Sequence, residues 1–203
     1  MIKDFDELLS RIDELLDRKD NAIIAIDGCS ASFKTTFGEI LAKRYDSNII
    51  HIDDFYNKRT ENTPKHLKTS VEGNISYPYL KEKVIDNLKE NSFSYRKFDC
   101  KTQTFLKEEV IYKNKLTIIE GTYSLNPKLG KYYDLSIFFD LNEDMQKERI
   151  MIRNKNNFEW FISTWVRLEK VYFKHFNIKE SSDIVINTSF LNFWEVISIK
   201  SFY

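Results

Sequence analysis

The stretch that decides the fold is AIIAIDGCSASFKTT, residues 22–36. It begins with a continuous apolar run, residues 22–26, which is typical of a strand buried on both faces of a parallel sheet. From residue 35 to residue 45 the apolar side chains return at helical spacing. Small residues join these two elements. A strand, a loop of small residues and a helix in this order are typical of a loop whose backbone N–H groups surround a polyphosphate.

We expect this loop to hold the phosphates of ATP. Lys34 would reach the β- and γ-phosphates, and the Thr35 hydroxyl would coordinate Mg²⁺. The alternative, a chance pattern at a helix start, is disfavoured by the strand and the helix on either side. The predicted nucleotide-binding residues are Gly28, Ser30, Ala31, Ser32, Phe33, Lys34, Thr35 and Thr36.

Phe33 departs from the loop pattern, which has glycine before the lysine. If the backbone here needs a positive φ, a residue with a Cβ substituent is disfavoured by about 1–2 kcal/mol. The sequence therefore predicts a strained loop residue whose ring is able to crowd the phosphates.

Carboxylates follow two further predicted strands. Asp53 and Asp54 end the strand at residues 48–52, and Glu120 ends the strand at residues 115–121. Such positions face the crevice where open α/β sheets bind ligands. Asp53 would take the proton from an attacking hydroxyl and contact the metal, and Glu120 would hold Mg²⁺ directly or through water. The alternatives are turn or cap residues for the aspartates and a simple strand-end charge for Glu120.

Arg149 and Arg153 lie four residues apart, on one face of a predicted helix at 143–153. The helix runs into a polar break that we interpret as a lid, residues 153–158. Paired guanidinium groups at a lid stabilise the charge on a transferring phosphoryl group, so both arginines are catalytic candidates with Lys34 and Asp53. Surface ion pairs with Glu143, Asp144 and Glu148 are the alternative.

The alternation of strands and helices predicts an α/β fold with a doubly wound parallel sheet of about five strands, flanked by helices. We treat residues 1–203 as a single domain. Its predicted parts are an N-terminal helix within 1–20, a substrate-side insertion at 57–111 with a hairpin flap near 95–98 and 109–111, helices at 77–90 and 158–176, strands at 132–141 and 183–187, and a tail, 190–203, that is compatible with helix or strand.

Composition narrows the function. The 31 basic and 31 acidic residues cancel, which argues against nucleic acid or membrane as partner and favours a small-molecule substrate. Two cysteines are too few for a disulfide framework, so a cytoplasmic location is expected. His51, His66 and His175 are scattered, which argues against a zinc site. The aromatic residues between 160 and 176 have helical spacing and are predicted to pack in the core.

Seven segments, taken together, resemble the uridine kinase family of bacterial P-loop kinases. They agree in order and spacing from about residue 20 to about residue 187: IAIDGCSASFKTT, NIIHIDDFY, EGN-S-YPYL, FSYRKFDC, LTIIEGTYSLNPKLGKYYDLSIF, QKERIMIR and EWFISTWVRLEKVYF. The resemblance implies a parallel five-stranded sheet with a lid. It also implies transfer of the ATP γ-phosphate to the 5′-hydroxyl of uridine or cytidine with Mg²⁺. Members of the family are often oligomeric, so a homo-oligomer is a further expectation.

The resemblance also implies roles for single residues. Asp53 matches the general base, Glu120 and Thr35 the metal-holding pair, and Arg149 and Arg153 the lid arginines, with Asn154 where aspartate is frequent. The substrate-side candidates are Asp54, Tyr56, Ser76, Tyr77, Phe98 and Tyr123.

Three residues depart from that family pattern: Phe33 replaces glycine, Phe98 replaces tyrosine, and Ser76 replaces an aspartate that binds ribose hydroxyls. A serine cannot form the bidentate, charge-assisted contact, and its loss weakens binding by about 1.5–3 kcal/mol. Three functions therefore stay open: an active nucleoside kinase, a related kinase for pantothenate or a sugar, and a degenerate kinase acting as a nucleotide-binding or interaction module.

Overall fold

The fold is built on a seven-stranded sheet within residues 2, 3, 5–60, 63, 65, 67, 70–190 and 194–200, which the computed structural model describes. His66 and residues 191–193 and 201–203 of the predicted tail lie outside these residues. The strands of the sheet are β1 (Ile2–Lys3), β2 (Ala22–Gly28), β3 (Asn48–His51), β6 (Leu116–Glu120), β7 (Leu135–Asp140), β8 (Ile184–Asn187) and β9 (Trp194–Ile199). A separate hairpin consists of β4 (Ser92–Asp99) and β5 (Thr104–Tyr112).

The order across the sheet is β1-β9-β8-β7-β2-β6-β3. Five neighbouring strands, β8 to β3 in this order, are parallel, while β9 runs antiparallel to β8. The predicted fold class and its five parallel strands are therefore confirmed, and β9 and β1 extend the sheet at one edge.

Helices cover both faces of the sheet. They are α1 (Phe5–Arg18), α2 (Lys34–Tyr45), α3 (Tyr77–Lys83), α4 (Glu143–Arg153), α5 (Phe158–Phe161), α6 (Arg167–Phe176) and α7 (Ile178–Ser181). A 3₁₀ turn, Ile52–Phe55, follows β3, and a π turn, Ile162–Val166, joins α5 to α6. No helix within the described ranges is long and apolar enough to cross a membrane.

Strand β2 is buried along its whole length because it has a core on each side. Ile24 and Ile26 pack with Phe37 of α2 and with α1 in one core, whereas Ile23 and Ala25 pack in the other core with α3 and α6. Alternate residues of a strand point to opposite faces, which explains why the whole run has to be apolar.

Two local expectations need correction, and the open choice for the tail is decided. The tail forms strand β9 at Trp194–Ile199. The helix expected at 77–90 ends at Lys83. The helix expected at 158–176 is interrupted by the π turn, which adds a residue to one turn and rotates the face that follows. The aromatic side chains consequently divide between two environments: Tyr172 is fully buried, but Trp160 is 46% exposed.

Candidate active site

The carboxyl ends of three parallel strands meet at one edge of the sheet. Ile26 of β2 and His51 of β3 are both in register with Glu120 of β6. A cavity of about 270 Å³ opens there. It is lined by Ser30, Lys34, Thr35, Asp53, Tyr56, Glu120, Gly121, Thr122, Tyr123, Arg153, Asn154, Phe161, Trp165 and Glu169. We call it the central cleft, and most of the candidate catalytic residues line it.

The predicted phosphate-binding loop leaves β2 at Gly28 and enters α2 at Lys34. Gly28 has φ 141°, and a Cβ there would lie 2.3 Å from the Phe139 carbonyl oxygen, so only glycine fits. The Lys34 Nζ donates to the Cys29 carbonyl at 3.2 Å. The Ser32 hydroxyl is buried without a hydrogen-bond partner among the described residues. A helix start, a lysine and an unpaired buried hydroxyl around one loop fit a bound phosphate chain.

The residues proposed to hold Mg²⁺ are adjacent. The Thr35 Oγ1 donates to Glu120 Oε2 at 3.2 Å. Within the described part of the chain, no group of three or more His, Cys, Asp or Glu residues could hold a metal alone. Mg²⁺ in phosphotransfer sites uses one or two protein ligands together with substrate phosphates, so this pair fits a metal held on a phosphate chain.

His51 also contacts Glu120, which the sequence did not indicate because His51 reads as an ordinary strand residue. Its Nδ1 lies 2.5 Å from Glu120 Oε1. This hydrogen bond raises the pKa of His51 above its usual value. His51 and Thr35 thus contact different oxygens of the Glu120 carboxylate.

Asp53 lies in the central cleft and is reached by solvent there. Surrounding protein atoms raise the pKa of its carboxyl, and the positive charges of Lys34 and Arg153 oppose that rise. The Tyr56 hydroxyl lies beside Asp53, and burial raises the pKa of this tyrosine. The arrangement places a carboxylate next to two cations at the site where a hydroxyl acceptor has room to bind.

The two arginines of α4 have different surroundings. Arg153 lines the central cleft and also a second cavity of about 430 Å³ over the phosphate-binding loop, so it lies between the two. Arg149 lines only the second cavity and donates to the Thr188 carbonyl at 2.6 Å and the Ala31 carbonyl at 3.3 Å. Glu143, one predicted ion-pair partner, instead pairs with Lys170 at 2.6 Å.

Phe33 has the left-handed backbone that the loop pattern requires, with φ 68° and ψ 14°. Its ring turns towards α4 and β9. The Arg149 guanidinium lies 4.4 Å from the ring centroid, and the Trp194 ring is stacked at 5.7 Å with an interplanar angle of 23°. The residue is therefore strained in its backbone and held through its side chain.

Glu169 holds the loop from α6, a role that sequence reasoning missed. Its Oε2 accepts from the Ser30 N–H at 3.0 Å and from the Ser30 hydroxyl at 2.7 Å, and its Oε1 accepts from Gln146. Burial raises the pKa of this carboxyl. One signal was present: Glu169 stands three residues from both Val166 and Tyr172, on the apolar side of its helix.

Asp27 is a second buried carboxylate that was not singled out. It accepts hydrogen bonds from the backbone N–H groups of Gly28, Tyr123 and Leu125 and from the Tyr172 hydroxyl. Burial raises the pKa of Asp27 to about 6, although these bonds and Lys34 act in the opposite direction. Asp27 thus ties the start of the loop to the segment after β6 and to α6.

We expect the stability of the protein to fall with rising pH in a way that depends on Asp27. The folded pKa of about 6 exceeds the unfolded value, so the stabilisation is fully present below about pH 4 and is lost as pH rises through 6. The unfolding free energy of the wild type, relative to Asp27→Asn, should drop by about 1 kcal/mol between pH 5 and pH 7. Urea denaturation at both pH values measures this difference in unfolding free energy.

Asp17→Asn, on the exposed side of α1, controls for the charge change. An unfolding free energy of the wild type that rises with pH relative to Asp27→Asn would contradict the expectation.

The substrate-side candidates separate into two groups. Ser76 and Phe98 line a cavity of about 470 Å³ against the hairpin, and Tyr56 lines both this cavity and the central cleft, where Tyr123 also lies. Two others have partners elsewhere. The Tyr77 hydroxyl donates to the Glu72 carbonyl, and Asp54 accepts from the Tyr95 hydroxyl at 3.2 Å with Lys97 at 3.8 Å.

The sequence matches no protein-family model and no curated protein. The structure is similar to that of a possible uridine kinase from Bacillus stearothermophilus, with a TM-score of 0.65 and 20% identity, over 88% of this chain and 98% of that one. It is also similar to D-glycerate 3-kinase from Cryptococcus neoformans, with a TM-score of 0.59 and 12% identity, over 95% of this chain and 98% of that one.

The chain has the fold of these kinases. The similarity covers 88% or more of each structure in both comparisons. At these identities it is a likeness of fold. Function has to be argued from the site itself.

Proposed function

We propose that this protein is a phosphotransferase that moves the terminal phosphoryl group of a nucleoside triphosphate to a hydroxyl of a small molecule. The observation that carries the proposal is the convergence of Lys34, Asp53, Glu120 and Arg153 on one cleft beside a phosphate-binding loop. Phosphoryl transfer needs positioning and charge stabilisation more than covalent chemistry, and these residues supply both.

In the proposed reaction, the acceptor oxygen forms a bond to the γ-phosphorus while the bond from that phosphorus to the β-γ bridging oxygen breaks. Asp53 takes the acceptor's hydroxyl proton, and the bridging oxygen leaves with the nucleoside diphosphate. Lys34 and Arg153 neutralise negative charge on the phosphoryl oxygens. Thr35 and Glu120 would hold Mg²⁺, which supplies further charge neutralisation when bound.

For the acceptor, we favour a nucleoside, uridine or cytidine, bound with its 5′-hydroxyl at Asp53. The resemblance of the sequence segments supports this choice, as does the aromatic cavity that joins the central cleft at Tyr56. That cavity is lined by Phe55, Tyr56, Asn57, Lys58, Ser76, Tyr79, Arg96, Phe98, Gln103, Thr104 and Phe105, and planar rings of this kind stack on nucleobases.

Two other candidates are each favoured by one observation. Ser76, which cannot act as a bidentate acceptor, favours a different polyol or acid, such as a sugar or pantothenate. Phe33, whose side chain stands where the loop pattern has glycine, favours a degenerate kinase that retains the fold as a binding module.

A coupled assay for nucleoside diphosphate release distinguishes these candidates. With millimolar MgATP, uridine, cytidine, pantothenate, pentoses, fructose and D-glycerate are added separately, and the product is identified by mass spectrometry. We expect release that depends on one acceptor class and a phosphate ester of that acceptor. Binding of MgATP by calorimetry without release for any acceptor would support the degenerate module and contradict the phosphotransferase.

A further inference from the structure

The second cavity, over the phosphate-binding loop, has two distinguishable ends. The end next to the central cleft contains Lys34, Thr35 and Arg153, which line both cavities and would face the phosphate chain of a donor. The other end contains Phe33, Arg149 and Ile152. Because the acceptor occupies the side of Asp53, the base of a nucleotide donor has to extend towards this other end.

Bases are recognised mainly by stacking on aromatic rings and on guanidinium planes. At the far end of the second cavity these groups are Phe33 and Arg149, but the guanidinium lies 4.4 Å from the ring centroid, so the faces that they turn to one another are not open to a base. Trp194 stacks on the same ring from β9. Hydrogen bonds to the Thr188 and Ala31 carbonyls fix the guanidinium.

The Phe33 ring is held in this place rather than free to leave it. A left-handed backbone is unfavourable for a residue with a Cβ, and the contacts with Arg149 and Trp194 offset that strain. Phe33 is 43% exposed and lines the second cavity. The exposed part of its side chain therefore occupies space that the base of a nucleotide would need.

We propose that Phe33 closes the base-binding end of the donor site, so that this protein recognises its phosphoryl donor by the phosphate chain and discriminates little between bases. The proposal rests on the proposed function, since it concerns the donor of that reaction. Phe33 is then a specificity-determining residue, and the donor class is broad: nucleoside triphosphates of any base, and base-free chains of three or more phosphates.

Calorimetric titration tests the proposal with four ligands: the magnesium complexes of ATP, GTP, CTP and tripolyphosphate. For the wild-type protein we expect the three nucleotide Kd values to agree within about threefold, and tripolyphosphate to bind comparably. Phe33→Ala, which opens the base end, should bind ATP and GTP at least about tenfold more tightly and tripolyphosphate unchanged. Tyr112→Ala is the matched control, because it removes a ring that is 70% exposed on the hairpin.

Two results would overturn the proposal. One is a wild type that prefers one nucleotide by more than about tenfold and loses this preference in Phe33→Ala. The other is a Phe33→Ala protein that gains no affinity for any nucleotide. Trp194→Leu leaves the loop sequence intact and removes the aromatic partner of the Phe33 ring, so it should shift ATP affinity in the same direction. This variant serves if Phe33→Ala fails to fold.

Failure of the proposed function is distinguishable from failure of this inference. Base-independent binding without phosphorylation of any acceptor would remove the phosphotransferase and leave the role of Phe33 standing. Loss of all binding in both wild type and Phe33→Ala, with circular dichroism showing that both are folded, would remove both.

Discussion

Replacing Arg153 by alanine is expected to lower kcat by about 10³-fold, the effect typical of removing an arginine that neutralises a transferring phosphoryl group. Arg153 lies between the central cleft and the second cavity, and it interacts electrostatically with Asp53. Its charge acts mainly in the transition state, so the acceptor KM should change much less than kcat. Steady-state kinetics with the acceptor identified in the coupled assay measures both constants.

Arg149→Ala is the matched comparison, because Arg149 lies one helical turn earlier on α4. Its guanidinium donates to two backbone carbonyls and stacks on Phe33, so its loss should alter stability and donor binding more than kcat. Equal losses of kcat in the two variants would show that the arginines act alike, contrary to their different surroundings.

Replacing Asp53 by asparagine is expected to lower kcat by about 10²–10³-fold, because asparagine cannot take the acceptor's proton. The side chain keeps nearly the same shape, so the structure and the affinity for MgATP should be retained. Calorimetry of MgATP binding and the coupled assay, performed on the same preparation, separate binding from chemistry. An Asp53→Asn protein with wild-type kcat would exclude Asp53 as the base.

Asp54→Asn provides the contrast for this experiment. Asp54 accepts from the Tyr95 hydroxyl and lies near Lys97, both on the hairpin. We expect this variant to change stability or the acceptor KM, with kcat altered by less than about threefold, since the residue is tied to the hairpin and not to the cleft. A large kcat loss here would point to the neighbouring carboxylate instead.

The parallel sheet could be predicted because its signal is local. A strand that is buried on both faces is apolar at every position, and residues 22–26 show this in the sequence. Isoleucine pairs, Ile49–Ile50 and Ile118–Ile119, mark the strands at 48–52 and 115–121. The positions of Asp53 and Glu120 followed from the rule that parallel strands end at a common edge. The strained backbone at Phe33 followed from the loop pattern in the same way.

The contacts that hold the site could not be predicted in this way. Glu169 is 139 residues from Ser30 in the chain, and no periodicity relates the two. The hydrogen bonds of Asp27 to Tyr123, Leu125 and Tyr172 depend on how the segment after β6 and helix α6 pack on β2. Spacing on α4 places Arg149 and Arg153 on one face, but only the packing of that helix separates their roles.

The sequence by itself determined the five parallel strands, the phosphate-binding loop and the charged residues at the sheet edge, because each depends on hydrophobic periodicity or on residues adjacent in the chain. The tertiary structure decided that Arg153 and not Arg149 faces the central cleft, that Glu169 binds Ser30, and that the Phe33 ring contacts both Arg149 and Trp194. These outcomes depend on close packing between segments far apart in the sequence, and that packing fixes the direction of each side chain.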